Sequence, residues 1–277
     1  MVESIQHILD LIRSVPVMLE EDRVIMLFID GLGINNLRLP FLKRFTCQTI
    51  FPSSTPTFFY SFHSLLQPAE HGFLEWNMRF GKKIITIPPW IDIKGREVKA
   101  SSRTIFPFIP LSEMLHRKGF TSTYYSPFAD TPFSRASGRK ARHVKISLLA
   151  DVFPLADSDF VFIYWPSIDT ILHERFKDER FDVEIRMIET FISLLWKRLV
   201  NGKIFVLSDH GLTDVKRKYL LPGIGGMPVG GARVAFYKNI EKEEVERVFR
   251  RKRIPADIYY LKEAPYFNGK ISRRCYK

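Results

Sequence analysis

Three acidic residues each stand just past a run of apolar ones: Asp30 after RVIMLFI, Asp169 in PSIDTILHERF after DFVFIYW, and Asp209 after KIFVLS. Two of them have a histidine close by. Asp169 and His173 are four apart, which on a helix places both on one face, one turn from each other, where they can grip a single divalent ion. Asp209 and His210 are adjacent, and neighbours on an extended chain point apart, so both reach one ion only if the chain turns there, as Gly211 permits. Each pair alone has a plainer explanation, because an Asp after a strand caps helices and an i,i+4 Asp–His contact stabilises them. Three such places behind three apolar runs are harder to assign to local structure. Mixed Asp and His donors suit zinc, with manganese and iron behind it, and two ions about 3.5–4 Å apart are the usual device for in-line phosphoryl displacement. A Ser or Thr hydroxyl fits that plan as nucleophile, since metal coordination activates it where a neighbouring base does so elsewhere. The stretch FPSSTPTFFY at 51–60 offers Ser53, Ser54, Thr55 and Thr57.

The elements that must position these groups are legible as apolar patterns. RVIMLFID, DFVFIYW and KIFVLSD are continuous apolar runs of the kind buried on both faces, as in parallel sheets. Strand-like and amphipathic segments alternate along the chain, which predicts an α/β layered fold whose ligand crevice lies beyond the carboxyl ends of the strands. LSEMLHRKG reads as a helix closed by Gly, TSTYY as a strand, and DVEIRMIETFISLLWKRLVNG as a long amphipathic helix ending in a Gly signal. The stretch near 78–108 differs, with a short KKIITIPPW strand, a DIKGRE turn and few helical signals, and reads as an elaboration near the site. With no internal repeat or low-complexity tract, residues 1–277 read as a single domain.

Composition narrows the setting. No stretch approaches the roughly 18–20 apolar residues that span a bilayer. The N-terminal MVESIQHILDLIRSVPVMLEEDR carries acidic residues where a signal peptide is basic and has the spacing of a short amphipathic helix, so a cytoplasmic protein is expected. Cys47 and Cys275 match no metal or redox spacing and read as unpaired thiols. The net charge of +12 is densest late, at VKRK, RVFRRKR and ISRRCYK. Such a field attracts anions of any kind, nucleotides and nucleic acids included, and selects none of them.

In their order, FIDGLG, FPSSTPTFFYSFHSLLQPAEHGFLEW, YWPSIDTILHERF and VLSDHGLTD resemble the alkaline phosphatase superfamily and, within it, the type I phosphodiesterase/nucleotide pyrophosphatase family. The likeness runs from about residue 23 to 240. It implies an alkaline-phosphatase-like layered fold with a largely parallel central sheet flanked by helices, and a single catalytic domain. It also implies that Thr55 is the nucleophile and forms a covalent phosphoenzyme, with Ser53 and Ser54 as turn or capping residues. Asp30, Thr55, Asp209 and His210 would surround one divalent metal ion, while Asp169 and His173 would hold a second; zinc is the first expectation and manganese the second. The implied partner is a small anionic phosphoester, a nucleotide among the candidates.

Two departures stand out. The superfamily completes its second metal site with a late His, yet no His follows His210 and a rough alignment puts Phe236 there. The phosphate-binding Asn of eukaryotic relatives falls on Trp76 by direct count, with Asn77, one residue on, as the substrate-binding candidate. A sulfatase is disfavoured because its Arg position holds Phe58. A phosphomonoesterase, drawing on Arg79, Arg135 or Arg139, and a degenerate non-catalytic member binding nucleic acid or a partner are the alternatives. His71 reads as structural; His63, His116 and the aromatic residues Phe58, Phe59, Tyr60, Trp76, Trp90 and Trp165 read mainly as packing, with some free to wall a pocket for a base or another apolar leaving group.

Overall fold

The computed structural model describes residues 7–264. Its strands, in chain order, are β1 (Val24–Ile29), β2 (Asn77–Phe80), β3 (Lys83–Thr86), β4 (Ile91–Asp92), β5 (Ser122–Ser126), β6 (Arg142–Lys145), β7 (Phe160–Trp165), β8 (Lys203–Leu207), β9 (Val229–Gly230) and β10 (Ala235–Phe236). Five of them form one parallel sheet in the order β6-β5-β7-β1-β8. β1 is thus the inner strand between β7 and β8, and the three apolar runs read from the sequence are neighbours.

Every residue of β1 is buried, because both faces of the sheet are covered. Val24, Met26 and Phe28 enter a core shared with Phe58 and Phe62 of the helix Thr55–Ser64 and with Leu9 and Ile12 of the helix Ile8–Arg13. Ile25, Leu27 and Ile29 enter the opposite core, with Ile168 and Leu172 and with Ile185, Ile188, Ile192 and Leu195 of the helix Glu179–Arg198. The 3-4-3 spacing of those last four is the core-facing stripe of an amphipathic helix. The helix Thr55–Ser64 differs, being buried at all ten positions, and its sequence TPTFFYSFHS has no charged face to offer solvent.

The segment set apart near 78–108 begins as a separate antiparallel sheet, β2-β3-β4, one residue earlier than expected. The DIKGRE turn closes through Gly95 N–H to Asp92 O at 2.8 Å and an Arg96–Asp92 ion pair. The expected helix in LSEMLHRKG is Leu111–Arg117, followed by Gly119 at φ +90°. VKRK is exposed, and the arginines and lysines of RVFRRKR lie on or just past the helix Lys242–Lys252. Cys47 is free and exposed; Cys275 and ISRRCYK lie outside the described residues. Among the described residues no helix is long and apolar enough to cross a membrane.

Candidate metal and nucleophile centre

The sheet order explains how three distant acids meet. Asp30 follows β1, Asp169 lies just beyond β7 and Asp209 just beyond β8, so the carboxylates rise from the carboxyl ends of three adjacent strands. Gly31 makes the closest approach possible. It has φ +72°, and a Cβ there would stand 3.0 Å from Asp169 Cα and 2.7 Å from Leu212 Cδ1. Asp169 N–H donates to Asp30 O at 3.1 Å, which ties the two loops together.

Around Asp30 the donors assemble tightly. Thr55 Oγ1 lies 3.4 and 3.3 Å from the two Asp30 carboxylate oxygens, and His210 Nε2 is 3.2 Å from Asp209 Oδ2 and 3.8 Å from Asp30 Oδ1. Asp209 is completely buried, and Asp30 and Thr55 nearly so. The turn at SDHG lets both side chains converge as the sequence requires, with Asp209 Oδ1 accepting the His210 N–H at 2.9 Å. Tyr164, not foreseen from the sequence, donates its hydroxyl to Asp30 Oδ2 at 2.7 Å. It sits on β7 in step with Phe160 and Phe162, so periodicity marks it as packing and nothing marks its polar tip.

The electrostatics follow from crowding. Burial, then the neighbouring charges of Asp209 and Asp169, push the Asp30 carboxyl well above the usual range, against the pull of Tyr164 and His210. Asp209 is pushed up to about 7, chiefly by burial, and Asp169 is raised for the same reason. Two buried acids and the half-buried Asp169, facing one another, lack a positive partner of matching strength.

These residues fit a divalent cation. Asp209 Oδ2 and Asp169 Oδ1 are buried and close no hydrogen bond, although a histidine Nε2 lies near each. Four donors set about 2.0–2.1 Å from one zinc ion stand about 3.3–3.4 Å from each other along the edges of the tetrahedron. The separations around Asp30 bracket that edge, at 3.2 to 3.8 Å, and Asp169 Oδ1 to His173 Nε2 is 3.4 Å. Asp30, Asp209 and His210 are the one group of three acidic, His or Cys donors at metal spacing among the described residues. Asp169 and His173 share a helix face as expected, on Ser167–Glu174, but no third such donor joins them there, and the His173 side chain is 65% exposed. Phe236 packs against the apolar cluster of Ala69 and Leu74.

Thr55 is the first residue of its helix, where the positive end of the backbone dipole favours an anion. Ser54 takes the N-cap position, with its Oγ 2.9 Å from Thr57 Oγ1. Thr55 also opens on a cavity of about 250 Å³ whose rim includes the exposed Trp76, Pro89 and Phe128. Phe59, Phe133, Phe162 and Tyr164 wall it, so Trp76 and Phe59 serve as pocket walls.

Asn77 lines a different cleft, against β9. Its Nδ2 donates to Gly230 O at 3.1 Å and its Oδ1 accepts from Thr86 at 2.7 Å, leaving one amide hydrogen uncommitted. Of the three arginines considered for a phosphate, Arg139 pairs with Glu113 and three carbonyls, and Arg79 donates to Met227 O. None of the three lines the Thr55 cavity. His71 is structural, held between Ser61 Oγ at 2.9 Å and Phe73 N–H at 3.0 Å. Glu75, also unforeseen, is a buried carboxylate against Ser54 and Gly231, pushed up to about 7 by burial.

A family model described as type I phosphodiesterase/nucleotide pyrophosphatase matches residues 24–251. No curated protein matches the chain in sequence. Among solved structures, murine ectonucleotide pyrophosphatase/phosphodiesterase 5 is similar at 18% identity and TM-score 0.66, covering 92% of this chain and 75% of that one. An inactive threonine-to-alanine form of it, in complex with AMP, is similar at 18% identity and TM-score 0.53, covering 69% of this chain and 57% of that one. At that identity the likeness speaks for the fold.

Proposed function

We propose, from the premise that the chain belongs to the type I phosphodiesterase/nucleotide pyrophosphatase family, a metal-dependent phosphodiesterase that uses Thr55 as its nucleophile. The observation that carries the proposal is the position of Thr55 Oγ1, at a helix N-terminus and within 3.4 Å of both oxygens of Asp30, itself a member of the one donor group of metal spacing among the described residues, Asp30, Asp209 and His210. Asp30, Asp209, His210 and Thr55 would hold one ion, and Asp169 and His173 a second; zinc suits the donors best, then manganese. A cation bound there supplies Lewis acidity, lowering the pKa of a hydroxyl and offsetting phosphoryl charge.

The chain's own residues do the rest. The Thr55 hydroxyl faces the Asp30 carboxylate, which takes up its proton as Oγ1 attacks phosphorus. The bond from phosphorus to the departing oxygen breaks in line, the alkoxide taking a proton from solvent and leaving a phosphodiester on Thr55; water then attacks phosphorus from the vacated side and gives up a proton to solvent, as the Thr55 oxygen leaves and recovers its proton from Asp30. The dipole of the helix Thr55–Ser64 stabilises the anionic phosphoryl group throughout. Tyr164 fixes Asp30, and the aromatic cavity shelters the organic substituent.

A diester is favoured over a monoester because no Lys or Arg lines the cavity at Thr55 among the described residues, and a dianionic phosphate calls for more positive groups. The AMP complex of the murine relative, and the threonine change in its inactive form, support a nucleotide-type substrate and a threonine nucleophile. Asn77, with one free amide hydrogen, is the side-chain donor proposed for the phosphate from the β9 side. The incomplete Asp169–His173 pair favours a second reading, a one-metal binding protein without turnover.

The test is hydrolysis of bis-p-nitrophenyl phosphate and of p-nitrophenyl phosphate with zinc or manganese titrated in. Metal-dependent cleavage with the diester preferred supports the proposal. Preference for the monoester redirects it, and inactivity with every metal transfers it to the binding protein.

A further inference from the structure

The cavity beside Thr55 does not end in plain hydrocarbon. From the exposed rim at Trp76, Pro89 and Phe128 its lining passes to the buried residues His63, Tyr124, Ser137 and Phe162, with His143 beside them. His63 is the last residue but one of the helix that begins with Thr55, so one rigid element carries both ends of the cavity. The imidazole is 4% exposed and sits among Phe59, Phe62, Phe106, Phe133 and Phe162, with Tyr124 at a ring distance of 5.5 Å. Among the described residues it closes no hydrogen bond, and its Nδ1 is fully buried without a partner. The Tyr124 hydroxyl, near Ser112, likewise closes no hydrogen bond of normal geometry.

Unpartnered polar atoms inside an aromatic nest lose their hydration with nothing in return, so their presence calls for a reason. His71, on the same side of the sheet, shows the alternative: both of its ring nitrogens are bonded. Burial, with a smaller push from His143, drives the His63 pKa down to about 3, so the ring is neutral at ordinary pH and presents one N–H and one lone pair. Such a ring recognises an uncharged polar atom. It offers a carboxylate or ammonium no charge to pair with, and the surrounding rings desolvate either one.

We propose that His63 is a specificity residue for the organic substituent of the phosphoester, the cavity taking a flat, uncharged group of about one aromatic ring that ends in a hydrogen-bonding atom. The volume of about 250 Å³ lies below the range of drug-sized pockets, which restricts the occupant to a single ring with its polar tip. This inference rests on the reading of Thr55 as the nucleophile only in that the ring's other end is expected to bear the phosphorus. The floor of the cavity binds its ligand whether or not turnover occurs.

The experiment measures binding of benzamide, ethylbenzene and benzoate to the zinc-loaded chain by ligand-observed NMR, for wild type, His63→Phe and His63→Leu. Benzamide is expected to bind about five-fold tighter than ethylbenzene in wild type, as one neutral hydrogen bond allows, with benzoate weakest. In both variants that preference collapses to within about two-fold. No binding by wild type, no preference among the probes, or a preference that survives both variants would each overturn the proposal. Should both variants unfold, the His63 ring ¹⁵N resonances of wild type decide it: a shift on adding benzamide supports the site and an unmoved resonance overturns it. Turnover of bis-p-nitrophenyl phosphate, scored on the same samples, separates the two readings. Turnover without ligand preference sinks the pocket alone, and ligand preference without turnover sinks the nucleophile alone.

Discussion

Replacing Tyr164 by Phe removes a single oxygen from the centre while leaving the ring. The hydroxyl donates to Asp30 Oδ2 at 2.7 Å, whereas the ring packs on Phe59 at 4.8 Å, Phe28 at 5.5 Å and Phe128 at 6.1 Å, and Phe keeps those contacts. A hydrogen bond to a charged acceptor is worth about 1.5–3 kcal/mol, which corresponds to roughly 10–150-fold in an equilibrium constant. Partners that orient a metal ligand in this way typically contribute about 10–100-fold to metal affinity or activity. The overlap of the two ranges predicts that Tyr164→Phe raises the zinc concentration for half-maximal diesterase activity about ten- to a hundred-fold. At saturating zinc, kcat should stay within about three-fold, since Tyr164 acts through Asp30. Tyr125→Phe is the control, because that hydroxyl accepts from Ala156 N–H at 2.8 Å, on the other face of the sheet. The assay is zinc-dependent hydrolysis of bis-p-nitrophenyl phosphate in a metal buffer, with circular dichroism to establish folding. An activation constant unchanged within two-fold would refute the positioning role, and a kcat lost at every zinc level would mean that Tyr164 touches the reacting atoms.

Gly31→Ala forces a side chain into φ +72° and against Leu212 Cδ1 at 2.7 Å. A loss of about 1–3 kcal/mol in urea unfolding and weaker zinc binding are expected, and an unaltered midpoint would show that the loop yields freely. Glu75 carries a folded-state pKa of about 7 against an ordinary value of 4.5. Its raised pKa means that stability is full below about pH 4.5 and lost as pH rises through 7, by about 3 kcal/mol at the conversion of 1.36 kcal/mol per unit. Glu75→Gln should therefore melt roughly 5 °C above wild type at pH 8 and much closer to it at pH 5; equal gains at both pH values would contradict the burial argument. With only two described donors, Asp169 and His173 should bind their ion more weakly than the Asp30 centre does. Zinc activation is then biphasic, and His173→Ala abolishes the weaker phase in equilibrium dialysis; a single phase shared by both proteins would contradict it.

The positions of the acids were legible because their signal is local. A continuous apolar run ending in Asp marks a buried strand and its carboxyl edge, and β1, β7 and β8 each end close to the acid the sequence puts there. That these strands are neighbours was not legible, since the order β7-β1-β8 depends on pairing between segments far apart in the chain. The Asp169–His173 spacing translated directly into a helix face. For Asp209 and His210 the outcome hung on a turn that Gly211 permits but does not require. Tyr164 escaped notice because alternation in a strand reports which face a residue takes and says nothing of what its hydroxyl meets. His63 read as packing for a similar reason: its surroundings are aromatic, and only the assembled core reveals that its buried Nδ1 finds no partner. Asn77 shows how much hangs on one residue of register. A shift of one residue on a strand reverses the face, so Trp76 reaches the Thr55 cavity while Asn77 approaches from the β9 side.

The central claim is that Thr55 Oγ1 forms the bond to phosphorus, and the most direct measurement compares zinc-loaded wild type with Thr55→Ala on bis-p-nitrophenyl phosphate, with acid-quenched samples taken for peptide mass. Wild type should release a burst of nitrophenolate and carry a p-nitrophenyl phosphoryl group on Thr55. Thr55→Ala, still folded and still holding zinc, should show neither burst nor adduct and at least a thousand-fold slower turnover, about 4 kcal/mol in the barrier. Undiminished turnover by Thr55→Ala, or an adduct on another residue, would contradict the account.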